Sequence, residues 1–250
     1  PTQKIGGKAK REAGVKVRHN VPMLSIEDVF EKSDVVNWVN KVRAVYPDSS
    51  FSVETKIDGL SMTLRYSKVK DTDKMELTLA ETRGDGLVGE DVTANALVIP
   101  DVQKELDLPY DYLELRGEVY MSHEDFERFN NEQEKLGKSI AANPRNLAAG
   151  TLRQLDSSIV KERGLRMFIF NIQDGPRELM EDHVKGLNVL GEKGVPVVYH
   201  ELCKTAEEVL DAIDEIGKMR DELPYDIDGA VVKINETRYR SDFSAGSKYS

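Results

Sequence analysis

Five short stretches carry residue types that could do chemistry. The first is Glu54-Thr55-Lys56-Ile57-Asp58-Gly59. A lysine beside a carboxylate, in a turn between two strands, suits nucleophilic catalysis: once the amine loses its proton it can attack phosphorus, and nearby cations or burial ease that loss. Gly59 would let the backbone approach a ligand closely. Taken alone, the stretch is better explained as a polar turn with an exposed lysine. The second is Thr82-Arg83-Gly84-Asp85-Gly86, followed by Gly89-Glu90-Asp91. Its glycines and arginine could cradle a phosphate, or form an ordinary surface loop. No Gly-Lys-Ser or Gly-Lys-Thr follows, so it is not a P-loop.

The third stretch is Leu113-Glu114-Leu115-Arg116-Gly117-Glu118-Val119. Alternation turns Val119 and Met121 inward and sets Glu114, Arg116, Glu118 and Tyr120 on the other face. A carboxylate there could bind a ribose hydroxyl or a hydrated magnesium ion, and a solvated strand face fits as well. The fourth, from Asn143 to Gln154, sets Arg145 and Arg153 among small residues, which suits bidentate phosphate binding or a plain helix end. The fifth runs from Asp226 to Lys233. Strict alternation puts Asp228 and Lys233 on opposite faces, and a bulge at Gly229 would bring them to one site. The four histidines, His19, His123, His183 and His200, have no metal-ligand spacing and read as structural or exposed.

The elements that must position these residues follow from hydrophobic spacing. A helix is expected over 34–46, with Val35, Trp38, Val39, Val42 and Val45 on one stripe. Strands are expected at 51–56, at 60–67 and at 75–82, the last two joined by the polar hairpin 67–74. Further on come a strand at 112–121, a helix near 123–136 capped by Ser122, and a strand at 167–172. A helix near 180–192 and a strand at 195–200 follow. A helix opened by a Thr205–Glu208 capping box leads to a last strand at 227–235. Strands joined mainly as hairpins, with irregular helices, predict an α+β fold of mostly antiparallel sheets.

The 250 residues suffice for one sizeable core or two modest ones. No stretch reaches the roughly 20 apolar residues of a membrane span. The polar, basic start lacks the apolar core of a secretion signal, which points to the cytoplasm. A single cysteine, Cys203, excludes an internal disulfide and argues against structural zinc. The net charge of −10 argues against a dedicated nucleic-acid binder, although lysines and arginines cluster over 4–18, where a solvated terminus would also explain them.

In this order, ETKIDG, TRGDG with GED, LRGEV, ANPRNLAAGTLRQLD and DIDGAVVKIN resemble the successive motifs of the adenylation domain of bacterial NAD⁺-dependent DNA ligases. The lead PTQKIGG and VRHNVPMLSI resembles the segment that opens that domain. The resemblance implies a nucleotidyltransferase fold, similar to ATP-grasp, and a monomer that acts on nicked double-stranded DNA in replication and repair, away from membranes. Lys56 resembles the nucleophile that attacks the α-phosphorus of NAD⁺. Ser25, Ile26 and Glu54 match positions lining the adenine pocket; Arg83 and Glu118 match positions contacting the sugar. Lys233 resembles a lysine that grips the α-phosphate. Asp58, Glu118 and Asp228 would surround a hydrated Mg²⁺, and Arg145, Arg153 and Arg220 match arginines needed for nick sealing. The family also carries an N-terminal mononucleotide-binding domain, a further lysine motif, and OB-fold, zinc, helix-hairpin-helix and BRCT modules. None of these is recognised in the 250 residues, so the chain is expected to bind adenine compounds yet adenylate itself poorly. Two alternatives remain at this point: an ATP-dependent nucleotidyltransferase, or a fragment that binds adenine nucleotides without turnover.

Overall fold

The computed structural model describes residues 23–25, 32–82 and 89–243, with only the backbone of 23–25. The basic lead, Ile26 and Arg83 lie outside the described residues, so the expectations placed on them have no structural counterpart. Among the described residues no helix is long and apolar enough to cross a membrane.

Two antiparallel sheets form the frame. One has the order β1 (Met23–Ser25), β10 (Ile227–Ile234), β2 (Phe51–Ile57), β9 (His200–Cys203). The other has the order β5 (Glu90–Asp91), β4 (Met75–Thr82), β3 (Leu60–Lys68), β7 (Tyr112–Met121), β8 (Leu165–Asp174), with β6 (Glu105–Leu106) also on β4. The expected α+β architecture is present, and β2 passes into β3 through the Asp58-Gly59 turn, which carries the chain from one sheet to the other.

Each sheet has its own apolar core. Helices α1 (Lys32–Val45) and α8 (Ala206–Met219) cover the first sheet, where Val39, Val42, Phe51, Val53, Val209 and Ile216 are fully buried. Trp38 meets Phe51 edge-on, with centroids 5.6 Å apart. The second core gathers Met62, Leu64, Leu113, Leu115 and Met121 of β3 and β7. Against them pack Leu147, Ala148 and Leu152 of α4 (Pro144–Leu152) and Val160 of α5 (Ser157–Arg163).

The helix ends show why these segments fold locally. Ser122 accepts from the Asp125 amide at the start of α3 (His123–Lys135), as its position implied. Thr205 caps α8, but the Glu208 carboxylate reaches back to the Lys204 amide at 3.3 Å rather than to that of Thr205, so the capping box closes one residue early. The helix expected near 180–192 is two pieces, α6 (Arg177–Met180) and α7 (His183–Glu192). Asp182 accepts from the Lys185 amide and starts the second piece afresh. The strand expected at 195–200 begins only at His200; Val197 instead makes a single parallel bridge to Ile169.

Two other expectations change. The face of β7 that carries Glu118 is not solvated: Arg116 and Tyr120 are buried, and Tyr120 stacks on Phe168 at 5.2 Å. On β2, Ser52 and Glu54 are as buried as Phe51 and Val53, so both faces are covered.

Candidate functional site

The two sheets enclose a cleft of about 850 Å³, within the usual range of roughly 300–1,000 Å³ for small-molecule sites. One wall is the face of β2 that carries Glu54 and Lys56, two positions and about 7 Å apart along the strand. The bulge foreseen at Gly229 is there: Ile57 pairs with Ile227 and Lys56 with Gly229, so Asp228 is the extra residue. Gly229 has φ 152°, a backbone that favours glycine. The bulge puts Asp228 and Lys233 on the same cleft.

Around Lys56 the cleft is acidic. The Lys56 ammonium lies 3.8 Å from Asp228 Oδ2, and both side chains are about one-third exposed, at 33% and 39%. Burial raises the Asp58 carboxyl above its ordinary value, and the facing Asp228 adds to this. Glu118 is pushed up to about 8, first by burial, then by Asp228 and Asp58, with Arg145 and Lys56 opposing. Arg145, exposed at the rim, comes within 3.9 Å of Asp58 Oδ1. The three carboxylates therefore feel one another, which is the donor chemistry a hard cation requires. Among the described residues no three acidic or imidazole groups are placed to ligate a metal directly, and that fits an ion that keeps its waters.

Further along β2 the cleft ends in a buried ionic cluster. Lys233 Nζ donates to Glu54 Oε1 at 2.8 Å and to the Phe170 carbonyl at 3.1 Å, and lies 5.3 Å from the centre of the Phe170 ring. Glu54 Oε2 accepts from Ser52 Oγ at 2.7 Å and lies 2.7 Å from His183 Nε2. Burial alone would raise the Glu54 carboxyl, but Lys233 and His183 outweigh it and hold the carboxylate well below the usual range. Burial lowers the Lys233 ammonium, and Glu54 offsets part of that. The Arg240 guanidinium, on the 3-10 turn Thr237–Asp242, also lines the cleft; burial brings it down to about 10, and its Nε donates to the Ile234 carbonyl at 2.8 Å.

The cleft thus gathers Glu54, Lys56, Asp58, Glu118, Arg145, Asp228 and Lys233 from the sequence candidates. Ser25 pairs with Gly229 through its backbone at the cleft's edge strand. Arg153 is exposed at the end of α4, and Arg220 is half-buried at the end of α8; neither lines the cleft. Sequence reasoning missed His183, Arg116, Phe170 and Arg240. Recognising Asp182 as an N-cap would have put His183 at the first position of a helix; nothing local marks the other three. Gly59 has a different task from the one expected. A Cβ there would sit 2.0 Å from the Val119 carbonyl oxygen, so what passes close is β7, not a ligand.

The family model described as the NAD-dependent DNA ligase adenylation domain matches residues 12–249. A protein named DNA ligase from Clostridium kluyveri is 45% identical over 249 residues, which are 99% of this chain and 36% of that protein. Another from Thermoanaerobacter sp. strain X514 is 42% identical over 241 residues, 96% of this chain and 35% of that protein. A third, from Cereibacter sphaeroides, is 43% identical over 242 residues, 94% of this chain and 33% of that protein. The chain spans about a third of the length of these relatives. A solved structure of a putative ATP-dependent DNA ligase from Aquifex aeolicus overlaps 74% of this chain and 41% of its own, at 16% identity and a TM-score of 0.37; nothing is built on that overlap. Since the family model covers nearly the whole chain, cleft included, the chain belongs to the family of NAD-dependent DNA ligase adenylation domains.

Proposed function

We propose that this chain is the part of an NAD⁺-dependent DNA ligase that receives AMP, and that Lys56 is the residue that carries it. The observation that supports this most is the placement of Lys56 between two unlike environments, the carboxylates Asp58, Glu118 and Asp228 on one side and the buried Glu54–Lys233 cluster on the other. A nucleotide laid along β2 would put its phosphate by Lys56 and its adenine toward Glu54, with Ser25 and Ile26 beside the base and Arg83 and Glu118 at the sugar.

The Lys56 amine, once its proton has passed by way of Asp228 to solvent, attacks the α-phosphorus of NAD⁺. A P–N bond forms, the bond to the bridging oxygen breaks, and nicotinamide mononucleotide leaves with the electron pair. A 5′-phosphate oxygen at a DNA nick then displaces the lysine and takes the AMP. Finally the 3′-hydroxyl attacks that 5′-phosphorus and expels AMP, which seals the strand as replication and repair require. Arg145, Arg153 and Arg220 would hold nick phosphates. Two of the three Lys233 N–H bonds are committed to Glu54 and Phe170. It has one left for a single acceptor of the nucleotide, short of the full grip on the α-phosphate that the resemblance implies. Asp58, Glu118 and Asp228 would hold a hydrated Mg²⁺, whose charge would offset that of the phosphates.

The test is incubation of a form spanning the length of the relatives with adenylate-labelled NAD⁺ or ATP, followed by peptide mass spectrometry. The expected result is an AMP adduct on Lys56 from NAD⁺ alone; an adduct elsewhere, or from ATP in preference, overturns the reading.

A further inference from the structure

His183 is the first residue of α7, and its side chain is almost fully buried where it borders the cleft. No step of the proposed reaction uses it. Its backbone is fixed on two sides. The His183 amide donates to the Asn235 carbonyl at 3.1 Å, and the next amide, of Val184, donates to Asn235 Oδ1 at 2.7 Å. Asn235 Nδ2 in turn donates to Asp182, the cap of α7, at 2.9 Å. Asn235 directly follows β10, the strand of Lys233. A closed ring results: β10 holds α7 through Asn235, His183 reaches Glu54 on β2, and Glu54 reaches back to Lys233 on β10.

The chemistry of the ring fixes the direction of its bonds. Glu54 is an ionised acceptor, so His183 Nε2 carries the hydrogen and donates it. The charged groups that face the imidazole are Glu54 from β2, Lys233 from β10 and Arg240 from the 3-10 turn. Burial lowers its pKa to about 4, with Lys233 and Arg240 adding to this and Glu54 opposing. The ring is therefore neutral at physiological pH and donates a hydrogen without adding a second buried cation beside Lys233. Without this bond, Glu54 Oε2 would keep only the Ser52 hydroxyl, which is on the same strand and does not tie β2 to anything else.

We propose that His183 is a positioning residue for the nucleotide: it pins the Glu54 carboxylate so that Glu54 holds the Lys233 ammonium with one N–H left for the ligand. This rests on the reading of the cleft as an adenine-nucleotide site.

Calorimetric titration of the chain with AMP, for the unaltered protein, His183→Gln and His183→Asn, tests it. The glutamine amide nitrogen reaches as far as Nε2 and should keep affinity within about threefold. The asparagine amide is one carbon shorter and should lose roughly tenfold or more, the loss of one charge-assisted hydrogen bond that holds a binding group. Circular dichroism and melting of both variants establish that they fold. Equal affinities in the two variants, strong or weak, overturn the proposal. No binding by the unaltered protein would instead overturn the nucleotide reading itself. If either variant fails to fold, ¹⁵N NMR of the unaltered protein decides: a neutral Nε2–H tautomer with and without AMP is expected, and an imidazolium or an Nδ1–H tautomer overturns the proposal.

Discussion

Glu54 and Lys233 are 179 positions apart in the chain and 2.8 Å apart in the structure, both buried, with the charge of each answered by the other. Taking either partner away leaves an uncompensated buried charge. Lys233→Met and Glu54→Gln should each lower unfolding free energy by about 3–5 kcal/mol in urea titrations, and the double substitution should recover much of that. If the two single losses simply added, the pair would not be the interaction that holds these strands in place.

His183 gives stability a pH dependence of known sign. Its pKa is about 4 folded against 6.5 unfolded, so between those values the unfolded chain binds more protons and stability falls as pH falls. Glu54, held below its ordinary 4.5, adds a further loss below about pH 4.5. Glu118, raised to about 8, acts in the opposite sense. The difference between the unaltered protein and His183→Gln therefore isolates the histidine. Urea midpoints from pH 4 to 8 should fall less steeply toward acid in the variant between pH 6.5 and 4. Parallel curves would mean that His183 carries no shifted proton equilibrium.

The parts that sequence made legible are those whose causes are local. Ser122 and Thr205 cap helices through amides three residues on, and the alternation of β3 shows in Met62, Leu64 and Tyr66. Gly229 forecast the bulge because few other residues tolerate its backbone. What stayed hidden depends on distant partners. His183 matters because of Glu54, 129 positions away. The β9 strand starts at His200 because pairing with β2 fixes it, with Glu54 opposite His200. Alternation could assign Glu118 and Tyr120 to one face of β7, but not that Phe168 would cover it.

Lys56 should be irreplaceable for forming the AMP adduct. Lys56→Ala removes the nucleophile. Lys56→Arg keeps the charge near Asp228 but supplies a guanidinium that stays protonated and cannot attack. Both should abolish the adduct from NAD⁺ by mass spectrometry, in a form spanning the length of the relatives. An adduct that survives in Lys56→Arg would remove Lys56 from the mechanism.

Gly59→Ala tests the junction between the sheets. The added methyl would meet the Val119 carbonyl carbon at 2.9 Å and its oxygen at 2.0 Å, both backbone atoms that cannot rotate away. The turn must then lift from β7 and carry Asp58 away from Glu118. A loss of about 1–3 kcal/mol or more in urea unfolding is expected, the scale of overpacking in a close-packed region. Slower adduct formation should accompany it. An unchanged midpoint would show that the strands separate freely at this point.

Glu118 separates catalysis from folding. Its carboxyl is raised to about 8 against an ordinary 4.5, so the folded protein binds more protons between those values, and ionising it there costs stability. Glu118→Gln keeps the shape and removes that cost, so the melting temperature at pH 8 should hold or rise. The gain should shrink toward pH 4.5, where the native carboxyl is protonated as well. Adduct formation should nevertheless slow by on the order of 10² or more, the scale seen when a positioned charge is lost from a site. Magnesium supplies an independent readout. If Asp58, Glu118 and Asp228 share a hydrated cation, Mg²⁺ should raise the melting temperature of the unaltered protein at pH 8 more than that of Glu118→Gln. Equal Mg²⁺ responses in the two would take Glu118 out of the cation site, and a melting temperature that drops sharply in Glu118→Gln would make it a structural partner instead.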